Sequence, residues 1–159
     1  MTRVLGVDLG TQRIGLAVGD TATGSVLPLT TIRRANIERD ARTIATVIAE
    51  QRVDELVVGL PLNMDGSEGA QAQQTREWAE AVAAACNVSL NWRDERLTTE
   101  DAIDRAGPQS RGRSGGPPSA KARRAYRAKL DRLAAAAIVQ AEVDARLAIA
   151  ETEHVQGDS

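Results

Sequence analysis

Phenylalanine is absent from this chain of 159 residues, and Trp78, Trp92 and Tyr126 are its only aromatic side chains. The core must therefore be assembled from Ala, Val, Leu and Ile, and little ring surface is available for stacking bases. A single cysteine, Cys86, excludes an internal disulfide. It reads as a small hydrophobe near a helix end, compatible with a reducing cytoplasm. One histidine, His154 in a polar tail, leaves neither a zinc cluster nor a Ser-His-acid triad to be assembled. Long apolar runs are missing too. No stretch reaches the ~20 residues that span a bilayer, so no membrane partner is expected. Met1-Thr2-Arg3 passes straight into strand-like sequence, with no leader expected ahead of it.

What is present fits one soluble domain with a real core, expected over residues 1–150 and followed by a disordered polar tail over 151–159; 42% of the residues are hydrophobic. A net charge of −2 hides a strong asymmetry. Between Arg105 and Arg132 stand nine basic residues against one acid, Asp131, whereas the rest of the chain carries 11 basic and 21 acidic residues. Such a block is the electrostatic footprint of a polyanion partner. An Arg-rich solvated surface is the plainer alternative.

Residues 3–9, 13–19 and 25–32 read as three short strands in a meander, separated by Gly- and Thr-rich turns. Ile37, Ala41, Ile44, Ala45 and Ile48 then follow a helical period, with Asn36 as a plausible N-cap. Glu55 to Leu60 is a compact apolar run of the buried parallel type, stopped by Pro61. A polar loop to Gly69, a helix from Ala70 to Cys86 and an alternating strand from Val88 to Trp92 come next. Thr98 or Thr99 caps a short helix to Ala106, Gly107 to Ser119 is a Gly/Pro/Ser-rich loop, and a long helix runs from about Ala120 to Ala150. The order predicts an α/β fold of the ribonuclease H-like kind: a mixed five-stranded sheet, three antiparallel strands then crossover units, with flanking helices.

Three acids stand where a bland sequence would not put them. Asp8 lies inside an apolar strand, in phase with Val4 and Gly6; an Asx cap on the following turn would also explain it. Asp131 sits on the final helix, with Ala134, Ala135 and Ile138 on its row, beside an apolar stripe of Leu130, Leu133, Ala134, Ala137, Ile138 and Ala141. Its plainer reading is an i,i+4 pair with Arg127. Asp94 and Glu95 end a strand and face opposite sides, Asp94 with the apolar phase and Glu95 with the polar phase of Ser89, Asn91 and Arg93, and periodicity does not choose between them. Three converging carboxylates repel one another unless cations sit between them. All-oxygen ligands suit Mg²⁺ (or Mn²⁺), and two ions about 3.5–4 Å apart activate water and stabilise the leaving oxygen in phosphodiester cleavage.

The runs Gly6-Val7-Asp8-Leu9-Gly10-Thr11-Gln12-Arg13-Ile14-Gly15, Val58-Gly59-Leu60-Pro61-Leu62-Asn63-Met64-Asp65-Gly66, Asp94-Glu95-Arg96-Leu97-Thr98-Thr99, and Asp131 followed by Leu133-Ala134-Ala135-Ala136-Ala137-Ile138 together resemble the YqgF (RuvX) family. They occur in the family's order over residues 3–141. The resemblance implies a ribonuclease H-like fold and a cytoplasmic, metal-dependent nuclease that trims the 5′ end of the 16S rRNA precursor, with Asp8, Glu95 and Asp131 as catalytic acids and metal ligands. Residues 107–129 look longer and richer in Gly, Pro and Arg than the family's short basic loop, which bears on substrate preference. Arg13, Arg96, Arg111, Arg113, Lys121, Arg123, Arg124 and Arg127 are the candidate phosphate contacts, sequence-blind and salt-sensitive.

Three other readings compete. Resolution of four-way (Holliday junction) DNA needs two active sites and hence a homodimer. A non-catalytic nucleic-acid-binding module would keep the acids for structure. Asp8-Leu9-Gly10-Thr11 also resembles the phosphate-binding turn of actin-like and sugar-kinase ATPases, but no second glycine-rich turn appears in a matching half.

Overall fold

The computed structural model describes residues 2–94, 105–107 and 115–157, with side chains as far as Glu153. Strands β1 (Arg3–Leu9), β2 (Arg13–Asp20) and β3 (Val26–Arg33) form the antiparallel meander. Helix α1 (Ile37–Gln51) crosses to β4 (Glu55–Leu60), which lies parallel to β1. Helix α2 (Ala70–Cys86) crosses to β5 (Ser89–Asp94), parallel to β4, and α3 (Ala120–Gly157) ends the described chain. The sheet order is β3-β2-β1-β4-β5, the mixed five-stranded arrangement the element order predicts. The expected short helix after Thr98 lies mostly outside the described residues.

Local chemistry sets the element ends. The Asn36 side chain accepts a hydrogen bond from the Arg39 N–H at 2.8 Å and starts α1. Arg52 and Asn87 close α1 and α2 in the left-handed conformation, φ 54° each, and their N–H groups satisfy the last carbonyls. The final helix runs on to Gly157, past the expected end near Ala150. Residues 151–156 contain no Gly or Pro to stop it, so the polar tail begins as helix.

Strand alternation sorts the sheet into two unlike faces. Leu5, Val7, Leu9, Ile14, Leu16, Val18, Leu56 and Val58 pack against Ile44 of α1 and Trp78, Ala79 and Val82 of α2. Asp40, 2% exposed, ties these helices together: it accepts hydrogen bonds from the Ala35 N–H at 2.9 Å and the Trp78 indole N–H at 3.0 Å. A buried acid with two donors is satisfied rather than costly.

The opposite face carries small side chains, Val4, Ala17 and Val57, set among glycines. Gly6, Gly15 and Gly19 present backbone, and α3 lies directly on them through Ala135, Ile138, Val139 and Val143. A Cβ on Gly6 would overlap Val139 Cγ2 and approach the Ala135 carbonyl to 2.8 Å; a Cβ on Gly15 would overlap the Asp131 carbonyl. Without large aromatics, close backbone approach replaces side-chain volume as the means of filling the interior. The buried row of α3 is Ala134 to Val139, Glu142 and Val143, whereas Ala141 is exposed and Leu130 and Leu133 are half-buried. The expected stripe is thus rotated toward Asp131's own row. A helix seated on glycines can bury Ala over an arc wider than a leucine stripe would mark.

Cys86 ends α2, half-buried, its Sγ 3.5 Å from the Ala41 carbonyl oxygen, and burial pushes its thiol pKa up.

Gly6→Ala is expected to cost about 1–3 kcal/mol, read from the urea unfolding midpoint; an unchanged midpoint would mean that α3 lifts freely from the sheet. For Cys86, the native state retains its proton after the unfolded chain has lost it. Its contribution to stability is therefore lost as pH rises past the ordinary thiol value of about 8.5. Alkylation by iodoacetamide at pH 8 should be several-fold slower in native protein than in urea, and equal rates would contradict the burial.

Candidate active site

Asp8 is the last α3-facing position of β1, and its cross-strand partner is Gly15. The α3 backbone at Asp131 lies over Gly15, so two of the acids the sequence singles out belong to neighbouring positions of one sheet–helix junction. The turn after Asp8 is tight: the Gly10 N–H donates to the Arg13 carbonyl at 2.8 Å, and a Cβ on Gly10 would stand 2.9 Å from that oxygen. This closure brings Arg13 back beside the junction, where its Nε donates to Asp131 Oδ2 at 2.6 Å. The carboxylate of Asp131 is 21% exposed and the Arg13 side chain 33%, so the pair lines a rim open to solvent. Asp131 takes Arg13 as its partner, 118 residues away, rather than the Arg127 that helix spacing offers. The Thr31 hydroxyl donates to the Ala128 carbonyl at 2.5 Å and fixes this turn of α3 against β3.

At the opposite edge of the junction, Gly59 and Arg93 pair in the β4–β5 ladder, and Asn91 pairs with Val57, which packs under α3. The polar phase of β5 therefore faces α3, the same side as Asp8. Arg93 Nε donates to Glu142 Oε2 at 2.5 Å, Arg146 Nε donates to Glu142 Oε1 at 2.9 Å, and Arg146 also bridges to Glu55. Partial burial works against the Arg146 charge, but its bonds to Glu55 and Glu142 outweigh that and hold the guanidinium above its ordinary value. Glu142, 8% exposed at its side chain, lies on the Asp131 row at helical spacing, a signal that sequence reading passed over.

Among the other residues expected to contact phosphate, Arg124 joins Arg13 in a cleft of about 410 Å³ lined also by Gln12, Thr31, Arg33 and Ala128. Lys121, Arg123 and Arg127 are exposed on α3. Glu95, Arg96, Arg111 and Arg113 lie outside the described residues. Among the described residues, no group of three His, Cys, Asp or Glu side chains is gathered closely enough to hold a metal ion. The junction itself offers only oxygen donors, which suits a hard divalent cation. No helix among the described residues is long and apolar enough to cross a membrane.

A family model described as RuvX, Holliday junction resolvase, matches residues 2–145. A protein of Anaeromyxobacter sp. (strain Fw109-5) named "Putative pre-16S rRNA nuclease" is 43% identical over 144 residues, 91% of this chain and 98% of its own. One of the same name from Thermosynechococcus vestitus is 36% identical over 162 residues, 99% and 98% of the two chains. Among solved structures, Thermus thermophilus RuvC in complex with a Holliday junction substrate superposes with a TM-score of 0.53 at 14% identity, covering 93% of this chain and 97% of RuvC. The fold is thus the ribonuclease H-like fold of the RuvC resolvases.

The ion pairs of Asp131 and of Glu142 should differ in weight. Arg13→Gln removes a solvent-screened pair and should cost at most about 1 kcal/mol, shrinking further in 0.5 M salt. Glu142→Gln leaves two guanidinium groups poorly matched and should cost about 2 kcal/mol, with little response to salt. Urea unfolding at two salt concentrations separates them; equal costs would contradict the burial difference.

Proposed function

Because this chain belongs to the RuvX family, we propose that it is a metal-dependent endonuclease that processes the 5′ end of the 16S rRNA precursor at the junction of Asp8 and Asp131. The single observation that carries the reading is that the backbone of α3 at Asp131 lies over Gly15, the cross-strand partner of Asp8, beside an Arg-lined cleft. Asp8 and Asp131, with Glu95 as the third acid, are the residues that would hold Mg²⁺ or Mn²⁺, in two ions. The in-phase position of Arg93 and Asn91 on the α3 side of β5 supports Glu95 over Asp94. A bound divalent ion there supplies positive charge to a phosphodiester oxygen and acidifies water.

The chain's own groups do the rest. Arg13 orients the Asp131 carboxylate and offsets its charge, which lowers the cost of keeping acids together. Arg13 and Arg124 draw the phosphate backbone into the cleft beside the acids. With Trp78 buried in the core, recognition rests on backbone charge and shape rather than on base stacking. Residues 1–150 act as one catalytic domain, and the reaction belongs in the cytoplasm, with the precursor. The family description favours a second reading, cleavage of four-way DNA junctions, which would require a homodimer to place two such sites on one junction.

Wild type and Asp8→Asn, each with Mg²⁺, Mn²⁺ or EDTA, are to be compared on a 16S precursor transcript and on a four-way DNA junction. Metal-dependent cleavage of the transcript is expected from the wild type. The variant should lose about three orders of magnitude in rate, equivalent to about 4 kcal/mol. Paired symmetric nicks in the junction, with the transcript intact, would move the assignment to the second reading. Cleavage by Asp8→Asn at the wild-type rate would sink the site.

A further inference from the structure

A second basic cleft, about 500 Å³, is lined by Arg33, Arg34, Ala35, Arg39, Asp40 and Thr43, at the end of β3 and the first turn of α1. It shares Arg33 with the cleft that holds Arg13 and Arg124. The two therefore adjoin at Arg33, and together they bring five arginines to one flank of the Asp8–Asp131 junction. Arg34 is pinned there twice: its Nη1 donates to the Gly10 carbonyl at 2.9 Å, and its backbone N–H donates to the Gln12 carbonyl at 2.8 Å. That ties the end of β3 to the turn that follows Asp8. Arg33, Arg39 and Arg124 are exposed, and among the described residues none of them forms an ion pair. The single acid lining either cleft, Asp40, is buried and has both oxygens engaged by Ala35 and Trp78, so it stands as one carboxylate against five guanidinium groups.

The other end of the sheet is different. The cleft there is lined by Arg3, Asp20, Glu50, Gln51, Arg52 and Asp54. Positive charge is therefore concentrated at the end that bears the catalytic junction, where Arg33, Arg34 and Arg39, from outside the 105–132 basic block, adjoin Arg124 of that block. Apart from Ile32 the basic clefts offer no large apolar side chain, so they lack the anchor a protein partner would fill. A row of guanidinium groups without apolar pockets suits a chain of phosphates.

We propose that Arg39, Arg34 and Arg33 form a phosphate track that continues through Arg13 and Arg124 and holds the RNA strand on one side of the scissile bond. The track rests on the nuclease reading for its orientation, and its occupant is the precursor RNA. Arg33 and Arg39 are the two positions to change, because they are exposed and, among the described residues, their guanidinium groups make no hydrogen bond or ion pair.

Binding of the 16S precursor transcript is to be measured in EDTA over a range of salt for wild type, Arg33→Gln/Arg39→Gln, Arg33→Lys/Arg39→Lys and, as a control at the opposite end, Arg52→Gln. Cleavage kinetics in Mg²⁺ complete the set. The Gln pair should bind about tenfold more weakly, with a log K against log salt slope shallower by about 1.4, the loss of two phosphate contacts on a single strand. Its KM should rise while kcat stays within about twofold; the Lys pair should restore most of the affinity, and Arg52→Gln should match wild type. An unchanged salt slope, or a fall in kcat with KM unaltered, would overturn the track. So would weakened binding of a four-way DNA junction with transcript binding intact. If the wild type binds the transcript but cleaves nothing, while the Gln pair still loses affinity and slope, the track stands and the nuclease reading falls.

Discussion

Everything in this molecule hangs on the contact between the backbone of α3 and the glycine-paved face of β1 and β2. Gly6, Gly15 and Gly19 leave no room for a Cβ because the helix occupies that space. The close approach does what large aromatic side chains do in other cores: it excludes water and fixes the relative placement of two elements. It also makes the site. Asp131 reaches the strand that carries Asp8 only because its own carbonyl rests over Gly15.

Ion pairs flank this contact at both ends. Arg13 holds the helix near Asp131, and the Arg93–Glu142–Arg146–Glu55 chain holds it three turns further on. The inner pairs include a nearly buried carboxylate and fix registry. The outer one, between Arg13 and Asp131, is partly exposed and solvent-screened.

Much of the architecture was legible in the residue pattern. The apolar run Glu55–Leu60 and the helix Ala70–Cys86 have the predicted bounds, because Pro61, Gly69 and Asn87 end them locally. Asn36 caps α1 for the same reason. The final helix was harder. An Ala-rich sequence carries no leucine stripe to mark its inner face, so Ala141 was expected inside and is exposed, while Glu142 was overlooked and is buried. The basic residues of the 105–132 block stood out by density. Arg33, Arg34 and Arg39 did not, being spread among acids in the numbering and gathered only by the turn from β3 into α1.

Local patterning, then, was enough to settle which segments are strand or helix and which acids are unusual, since strand alternation, caps and breakers act within a few residues. The five-stranded sheet followed from their order, because short connections and right-handed crossovers leave few ways to join such elements. What only the tertiary structure decided is who meets whom. The pairing of Asp131 with Arg13 rather than Arg127, the burial of Glu142 and the joining of two arginine clefts through Arg33 all depend on contacts between residues far apart in the chain. No period within a single element encodes them, because they are set by where glycine lets one backbone rest on another.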